Sequence, residues 1–496
     1  MVASFVLWPY LPVLMRTFRP VIKILSALLI MVSLFMLLPI VTLIDGQHAD
    51  WKAFLISSAI TFVSGVIGLI VGRGDIHHLR QKQMFLLTVM AWFVIGFYGS
   101  LPLILCSYHL SITDAVFESI SGITTTGSTI LSGLDHMPSD LLLWRSLLQW
   151  MGGIGFIGMA VAILPFLRVG GMRLFSTESS EWSDKAVPRT GTLAKGLVGV
   201  YLGLSAACTL GYWLGGMDIF NAVNHAMTTL ATGGYSTSDQ SFGQFHSNAL
   251  LWVSTVFMAL GSMPFFLFLR TAHGQYRALW TDDQVRFFVK FLLIVSLVLG
   301  AHHAWTTHTG FWDAFTQAAF NVTSIVSTTG YASQDYTRWG AFAIAIFFFL
   351  AFVGGCSGST AGGLKIFRFQ LSMMLLKEQV VRLMHPKAVL SRRYNRRIIG
   401  DDIIASSVAF SFIYLATMAA MTLLMSLEGV DLVTSITGAA TALGNVGPGL
   451  GNLIGPAGNF QSLPDGAKWV LSIGMILGRL ELLSVLVVLS PAFWRK

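Results

Sequence analysis

Residues 327–331 read STTGY: Ser327, Thr328, Thr329, Gly330 and Tyr331, set between two long apolar stretches. Hydroxyl and carbonyl oxygens at such a turn could replace the water around a dehydrated cation, provided the backbone there is non-helical and lines a cavity. One strand cannot surround an ion, and three related stretches complete a set. They are DAVFESISGITTTGST from Asp114, DIFNAVNHAMTTLATGGYST from Asp218 and the more divergent DLVTSITGAATALGNVGPGLG from Asp431, beside DAFTQAAFNVTSIVSTTGYAS from Asp313. Aligned on the pair ending in the first glycine, the candidate ligands are Thr125 and Thr126, Ala231 and Thr232, Thr328 and Thr329, and Asn445 and Val446. The glycines are Gly127, Gly233, Gly330 and Gly447, recurring at intervals of 106, 97 and 117 residues. A lone Thr-Gly pair in an apolar protein is most often a turn or packing feature. Four copies, each after a short helix that opens on aspartate, are poorly explained that way.

These loops need a scaffold. The chain has 496 residues, 54% of them apolar and 11% charged, and a mean hydropathy of +0.70; soluble domains carry about 25% charged residues. Apolar runs at 22–44, 84–106, 141–167, 193–214 and 250–269 reach the length that crosses a bilayer as a helix. The fold class is therefore an all-α polytopic membrane protein. The first run is too long for a signal-peptide core and is expected to be retained. Cys106, Cys208 and Cys356 are scattered and offer neither a disulfide framework nor metal-ligand spacing.

Lys and Arg gather at 16–23, 73–82, 168–195, 270–290, 365–397 and 495–496. Alternate loops hold only Lys52, Arg145, Arg338 and Lys468. The net charge of +8 thus follows the positive-inside rule rather than nucleic-acid binding. Both termini are expected in the cytoplasm, with ten spans as the simplest even count. Each repeat reads span, pore helix, extended loop, span. The predicted divisions are an N-terminal two-span domain (1–75) and four repeats in pseudo-fourfold arrangement (76–170, 171–270, 271–385 and 386–496).

Glycine lets a strand approach an axis and take positive φ. The pore helices would point their partly negative C-terminal ends inward, which favours a cation. Asp114, Asp218, Asp313 and Asp431 are expected to cap the other ends. In the second span of the third repeat, GGCSGSTAGGLK packs Gly354, Gly355, Gly358, Gly362 and Gly363 among Ser357, Ser359 and Thr360. At about 1 kcal/mol per glycine against alanine, a continuous helix is disfavoured. A cavity-lining loop that could plug a pore is expected there. Arg479 lies inside the final apolar run, where a charge faces a cavity or a partner. Glu481 is two residues away and so does not share its helix face.

Other signals are discounted. Gly153, Gly155 and Gly158 satisfy G-x-G-x-x-G but lie inside an apolar span, without a βαβ unit. There is no phosphate-binding P-loop and so no ATPase; no enzyme activity is expected. The pairs His77-His78 and His302-His303 sit at span ends. His225, in the second pore helix, is the better functional candidate among the histidines.

The loops TTTGS, ATGGYST, STTGYAS and NVGPG, with GGCSGSTAGGLK, resemble those of the Trk/Ktr/HKT superfamily of potassium transporters. The likeness covers nearly the whole chain. The two extra N-terminal spans, and the stretch Leu174–Arg189, are similar to the Trk branch and its TrkH-like membrane subunits. The resemblance implies that Gly127, Gly233, Gly330 and Gly447 form a selectivity filter for potassium, with rubidium and sodium as further candidate ions. Sodium-preferring plant relatives carry serine at the first position, where this chain has Gly127. Asn445-Val446 departs from the pattern and implies a less symmetric filter. The resemblance also implies a gate formed by Gly354, Gly355, Gly358, Ser359, Thr360, Gly362 and Gly363, with Arg479 projecting against it. It further implies a homodimer in the bacterial inner membrane and a TrkA-like cytosolic subunit binding NAD(H) or ATP, with no cofactor bound covalently to this chain. Part of the basic segment Arg382–Arg397 is favoured as the docking site, the alternatives being the positive-inside rule or contact with anionic lipid. The parallel arrangement argues against a secondary carrier, which would show inverted repeats. Proton symport and passive conduction both stay open.

Overall fold

The computed structural model describes residues 11–45, 50–73, 79–162, 190–388, 390–395 and 397–494. The Leu174–Arg189 stretch and His77-His78 lie outside them. Helices α1 (Leu11–Phe35) and α2 (Trp51–Val71) open the chain. They meet through small residues: a Cβ on Gly65 would stand 2.7 Å from Ile30 Cγ1, the close approach that helices in lipid use. Then follow α3 (Gln81–Gly99), α4 (Ile112–Ile123), α5 (Ser139–Ala162), α6 (Thr190–Leu214), α7 (Ile219–Leu230), α8 (Asn248–Gly261) and α9 (Phe265–Ala272). The second half comprises α10 (Asp283–Thr307), α11 (Phe311–Val326), α12 (Ala341–Leu350), α13 (Ile366–Met384), α14 (Asp401–Leu427), α15 (Leu432–Gly444), α16 (Asp465–Arg479) and α17 (Leu483–Leu489).

Among the described residues six helices are long and apolar enough to cross a bilayer: α1, α2, α3, α6, α10 and α14. Two further crossings are bent. Between α8 and α9 the chain turns by 95° at Ser262-Met263-Pro264; proline lacks the N–H a helix needs and restricts the residue before it. Between α16 and α17 it turns by 110°, at Glu481 and Leu482 with φ of +53° and +41°. Counting each bent pair as one span, the described residues hold up to eight crossings by length and composition, against the ten expected from sequence; helix α5 is 24 residues long, and residues 351–365 separate α12 from α13. The outward faces are apolar, as at Leu34, Ile60, Phe62 and Ile67, which suits lipid as solvent.

Four short helices do not cross. In α4, α7, α11 and α15 every residue of the C-terminal half is buried, and each runs into an extended segment. Asp218 and Asp431 cap α7 and α15, accepting from Asn221 N and Thr434 N at 3.0 Å. The other two aspartates stand differently. Ser111 caps α4 and Gly310 precedes α11, so Asp114 and Asp313 occupy the third helical position. Both still place negative charge at a helix N-terminus.

Two supposed loop cations are not in loops. Arg145 lies within α5, buried in an ion pair with Glu118 of α4 at 2.9 Å. Lys468 lies in the first turn of α16 and reaches Asp114 at 2.6 Å. A charge taken out of water persists only beside a partner, and these two join α4 to its neighbours.

Candidate functional site

Four buried, non-helical loops follow the short helices, and their backbones share one register. Thr125, Thr232, Thr328 and Asn445 have φ of +55°, +53°, +58° and +52°. Two residues later Gly127, Gly234, Gly330 and Gly447 have φ of +85°, +76°, +83° and +105°. Between them the N–H groups of Thr126, Gly233, Thr329 and Val446 donate to Ser121, Thr228, Ser324 and Thr441 carbonyls at 2.9, 2.9, 2.8 and 2.9 Å. Gly234, not Gly233, is thus the counterpart of Gly127, Gly330 and Gly447. Alignment on the first glycine of the TGG string shifts the second loop by one residue. Ala231 correspondingly stands level with Ser327, at the helix end, and one place before Thr125, Thr328 and Asn445.

The loops close on one another. A Cβ on Gly127 would collide with Gly233 O, one on Gly234 with Thr329 O, one on Gly330 with Val446 O and one on Gly447 with Thr126 O. Each glycine therefore lies against the middle carbonyl of the next loop, and the fourth returns to the first. Ser128 Oγ donates to Gly447 O at 2.9 Å, and Asn445 Nδ2 to Thr126 Oγ1 at 2.9 Å. One side opens to a cavity of about 440 Å³ lined by Gly127, Ser128, Gly234, Gly330, Pro448 and Asp239.

Beneath the ring, residues 351–365 interrupt the span between α12 and α13. Gly354 packs on the Gly362 and Gly363 backbone, and Gly363 and Gly358 have φ of +67° and +77°. Gly355 approaches Ser262, while Ser359 Oγ donates to Cys356 O at 2.6 Å. Thr360 Oγ1 donates to Leu230 O at 3.0 Å and Gly261 O at 2.9 Å, and Gly362 N to Thr328 Oγ1 at 2.7 Å. Gly362 also packs on Gly444 O. The loop therefore touches the ends of α7 and α15 and the third loop's Thr328. Arg479 Nη1 donates to Thr360 O at 2.6 Å and Nη2 to Gly152 O at 3.4 Å, with the guanidinium over Phe156. Lys365 Nζ donates to Ala361 O.

A model of the TrkH family, described as cation transport protein, matches residues 52–496. The chain belongs to the TrkH family. It is 50% identical to the Trk system potassium uptake protein TrkI of Halomonas elongata, over 97% of this chain and 98% of that one. It is 36% identical to the Trk system potassium uptake protein TrkH of Escherichia coli, over 97% and 100% of the two chains. The crystal structure of the potassium transporter TrkH from Vibrio parahaemolyticus superposes with a TM-score of 0.88 at 34% identity, covering 96% of this chain and all of that one. This TrkH-family chain is a multi-pass transporter, not an enzyme.

Several polar groups around the ring of this TrkH-family chain were not legible as a site in its sequence. Glu118 accepts from Ile130 N at 2.9 Å and from Thr129 Oγ1 at 3.0 Å besides Arg145; Arg145 Nη1 donates to Ser236 O at 3.0 Å, its guanidinium over the Tyr235 ring. Helices α4 and α5 are thereby tied to the second loop. Gln149, one turn along α5, bonds the second loop twice. Glu481 pairs with Arg368 at 2.8 Å, leaving Arg479 to the glycine-rich loop. His225 is enclosed by Phe242, Phe245 and Tyr331, with Nδ1 at 2.9 Å from Asn221 O and Nε2 at 3.1 Å from Ser236 Oγ. Nδ1 is engaged within α7 itself, and Nε2 holds α7 to its own loop.

Proposed function

We propose that this chain is the membrane subunit of a bacterial Trk potassium uptake system, carrying potassium through a single-file pore. The observation that carries the reading is the closed cycle of four buried non-helical loops, each glycine against the next loop's carbonyl. Such backbone at membrane depth is tolerated where it is buried in protein or lines a cavity, and there its carbonyls can replace an ion's hydration shell. Gly127, Gly234, Gly330 and Gly447 shape this filter, and the carbonyls of the two residues before each offer ligands. The potassium that the named relatives take up or transport supports the choice of ion. Four repeats divided near residues 76, 171, 271 and 386 supply one loop each. The alternation of basic loops supports an inner-membrane topology with cytoplasmic termini.

The glycine-rich loop is the gate, held shut by Arg479. A charge-assisted hydrogen bond contributes about 1.5–3 kcal/mol, so Arg479→Ala should raise rubidium uptake about tenfold in proteoliposomes. Unchanged flux would remove Arg479 from gating. A homodimer and a TrkA-like subunit carrying NAD(H) or ATP complete the proposed system, docking near Arg382–Arg397. Part of that segment is internally tied: Arg392 pairs with Glu378 and Asp401. Among the described residues of the segment, Arg393 and Lys387 are exposed and open to docking.

The deciding experiment is uptake of potassium, rubidium, sodium and lithium into proteoliposomes by the wild type and Gly127→Ser. Potassium and rubidium flux, with selectivity eroded by the substitution, is expected. Flux indifferent to Gly127→Ser would sink the filter reading.

A further inference from the structure

Each loop of the ring has its own tether. In the first, Thr126 Oγ1 bonds Thr124 Oγ1 at 2.8 Å; in the third, Thr329 Oγ1 bonds Ser327 Oγ at 2.7 Å. In the fourth, Val446 has no hydroxyl, and the neighbouring Asn445 Nδ2 donates to Met475 O at 2.8 Å. The second loop carries Gly233 at this place and has no side chain to use. Its tether comes from another repeat. Gln149, fully buried on α5, donates Nε2–H to Gly233 O at 2.7 Å and accepts Tyr235 N–H through Oε1 at 3.0 Å. The two bonds fix the orientation of the carboxamide, since a flip would set acceptor against acceptor and donor against donor.

The same contact explains the second glycine of TGG. Gly233 does not have positive φ, so its backbone admits any residue. A Cβ there would meet the Gln149 carboxamide, whose atoms are its three nearest neighbours, with Nε2 at 2.8 Å. Gly233 and Gln149 are therefore one device: the glycine leaves the space that the amide fills.

We infer that Gln149 is a positioning residue that sets the ion selectivity of the second filter strand. The inference rests on the filter reading above. Gly233 O stands level with the carbonyls of Thr126, Thr329 and Val446, yet among the described residues it alone of the four is held by a side-chain amide from an adjacent span. The hydrogen bond commits one lone pair and fixes the oxygen's position against Gly127. Without it the strand can move inward around a smaller ion, and discrimination against sodium falls.

The test measures sodium competition against rubidium uptake in proteoliposomes for Gln149→Met, Gly233→Ala, their combination and Gly127→Ser. Methionine keeps the length and packing of glutamine but neither hydrogen bond. Two lost hydrogen bonds predict a five- to tenfold fall in rubidium-over-sodium preference, roughly, for Gln149→Met. Gly233→Ala should match it by displacing the amide, and the double variant should be no worse than either single one. Penalties that multiply in the double variant would overturn the coupling. Should Gly233→Ala fail to assemble, Gln149→Met decides alone. A preference unchanged in Gln149→Met while Gly127→Ser erodes it overturns this inference and leaves the filter standing. Indifference to both overturns the filter reading and this inference with it.

Discussion

Replacing Gly234 by alanine reduces potassium uptake at least tenfold, as much as the same change at Gly330, while Gly233→Ala keeps uptake and alters selectivity. The asymmetry between adjacent glycines follows from their backbones. Gly234 has φ of +76°, a left-handed conformation that costs an L-residue about 1–2 kcal/mol. Its Cβ would also collide with Thr329 O in the third loop. That atom is backbone, in a ring whose four members constrain one another, so no side-chain rotation relieves the contact. A tenfold loss corresponds to about 1.4 kcal/mol, which lies within the range of the conformational cost alone. Parallel uptake assays of the three alanine variants, with gel filtration as a control for assembly, decide it. Normal uptake by Gly234→Ala would mean that the second strand can be reset, and that the shared register does not govern conduction.

Arg145→Leu is expected to destabilise the protein severely, because it leaves the Glu118 carboxylate buried without its cation. Breaking a buried pair from one side costs about 3–5 kcal/mol. Here the same arginine also donates to Ser236 O and covers the Tyr235 ring, so the first and second loops lose a shared support. The thermal midpoint in detergent should fall by several degrees, or monodisperse protein should not be recovered. The combination Glu118→Gln with Arg145→Leu should regain much of the loss, since the stranded charge is then gone. If Arg145→Leu melts with the wild type, the pair is not structural. Recovery by the double variant separates an electrostatic cause from a merely steric one. Uptake by that double variant would further show that the pair supports the ring without conducting through it.

Composition and hydropathy alone determined that this is a helical membrane protein, because runs of about 20 apolar residues have few alternatives to a span. The four short helices and their loops were legible too, since polar Thr, Ser and Asn recur in otherwise apolar surroundings at matched places. So was the broken span at Gly354–Lys365, where glycine density opposes a helix whatever packs around it. Two kinds of feature were decided only by tertiary structure. One is register: TGG offers two glycines, and the choice of Gly234 depends on which backbone takes positive φ against the third loop. The other is pairing across repeats. Glu118 with Arg145, Asp114 with Lys468, Arg368 with Glu481 and Gln149 with Gly233 join residues 27 to 354 positions apart. No local periodicity signals such partners, and a single polar residue in an apolar run reads the same whether it faces a loop, a cavity or another charge. Chain proximity governs helices and caps; the partners of buried polar groups are set by which helices the fold brings face to face.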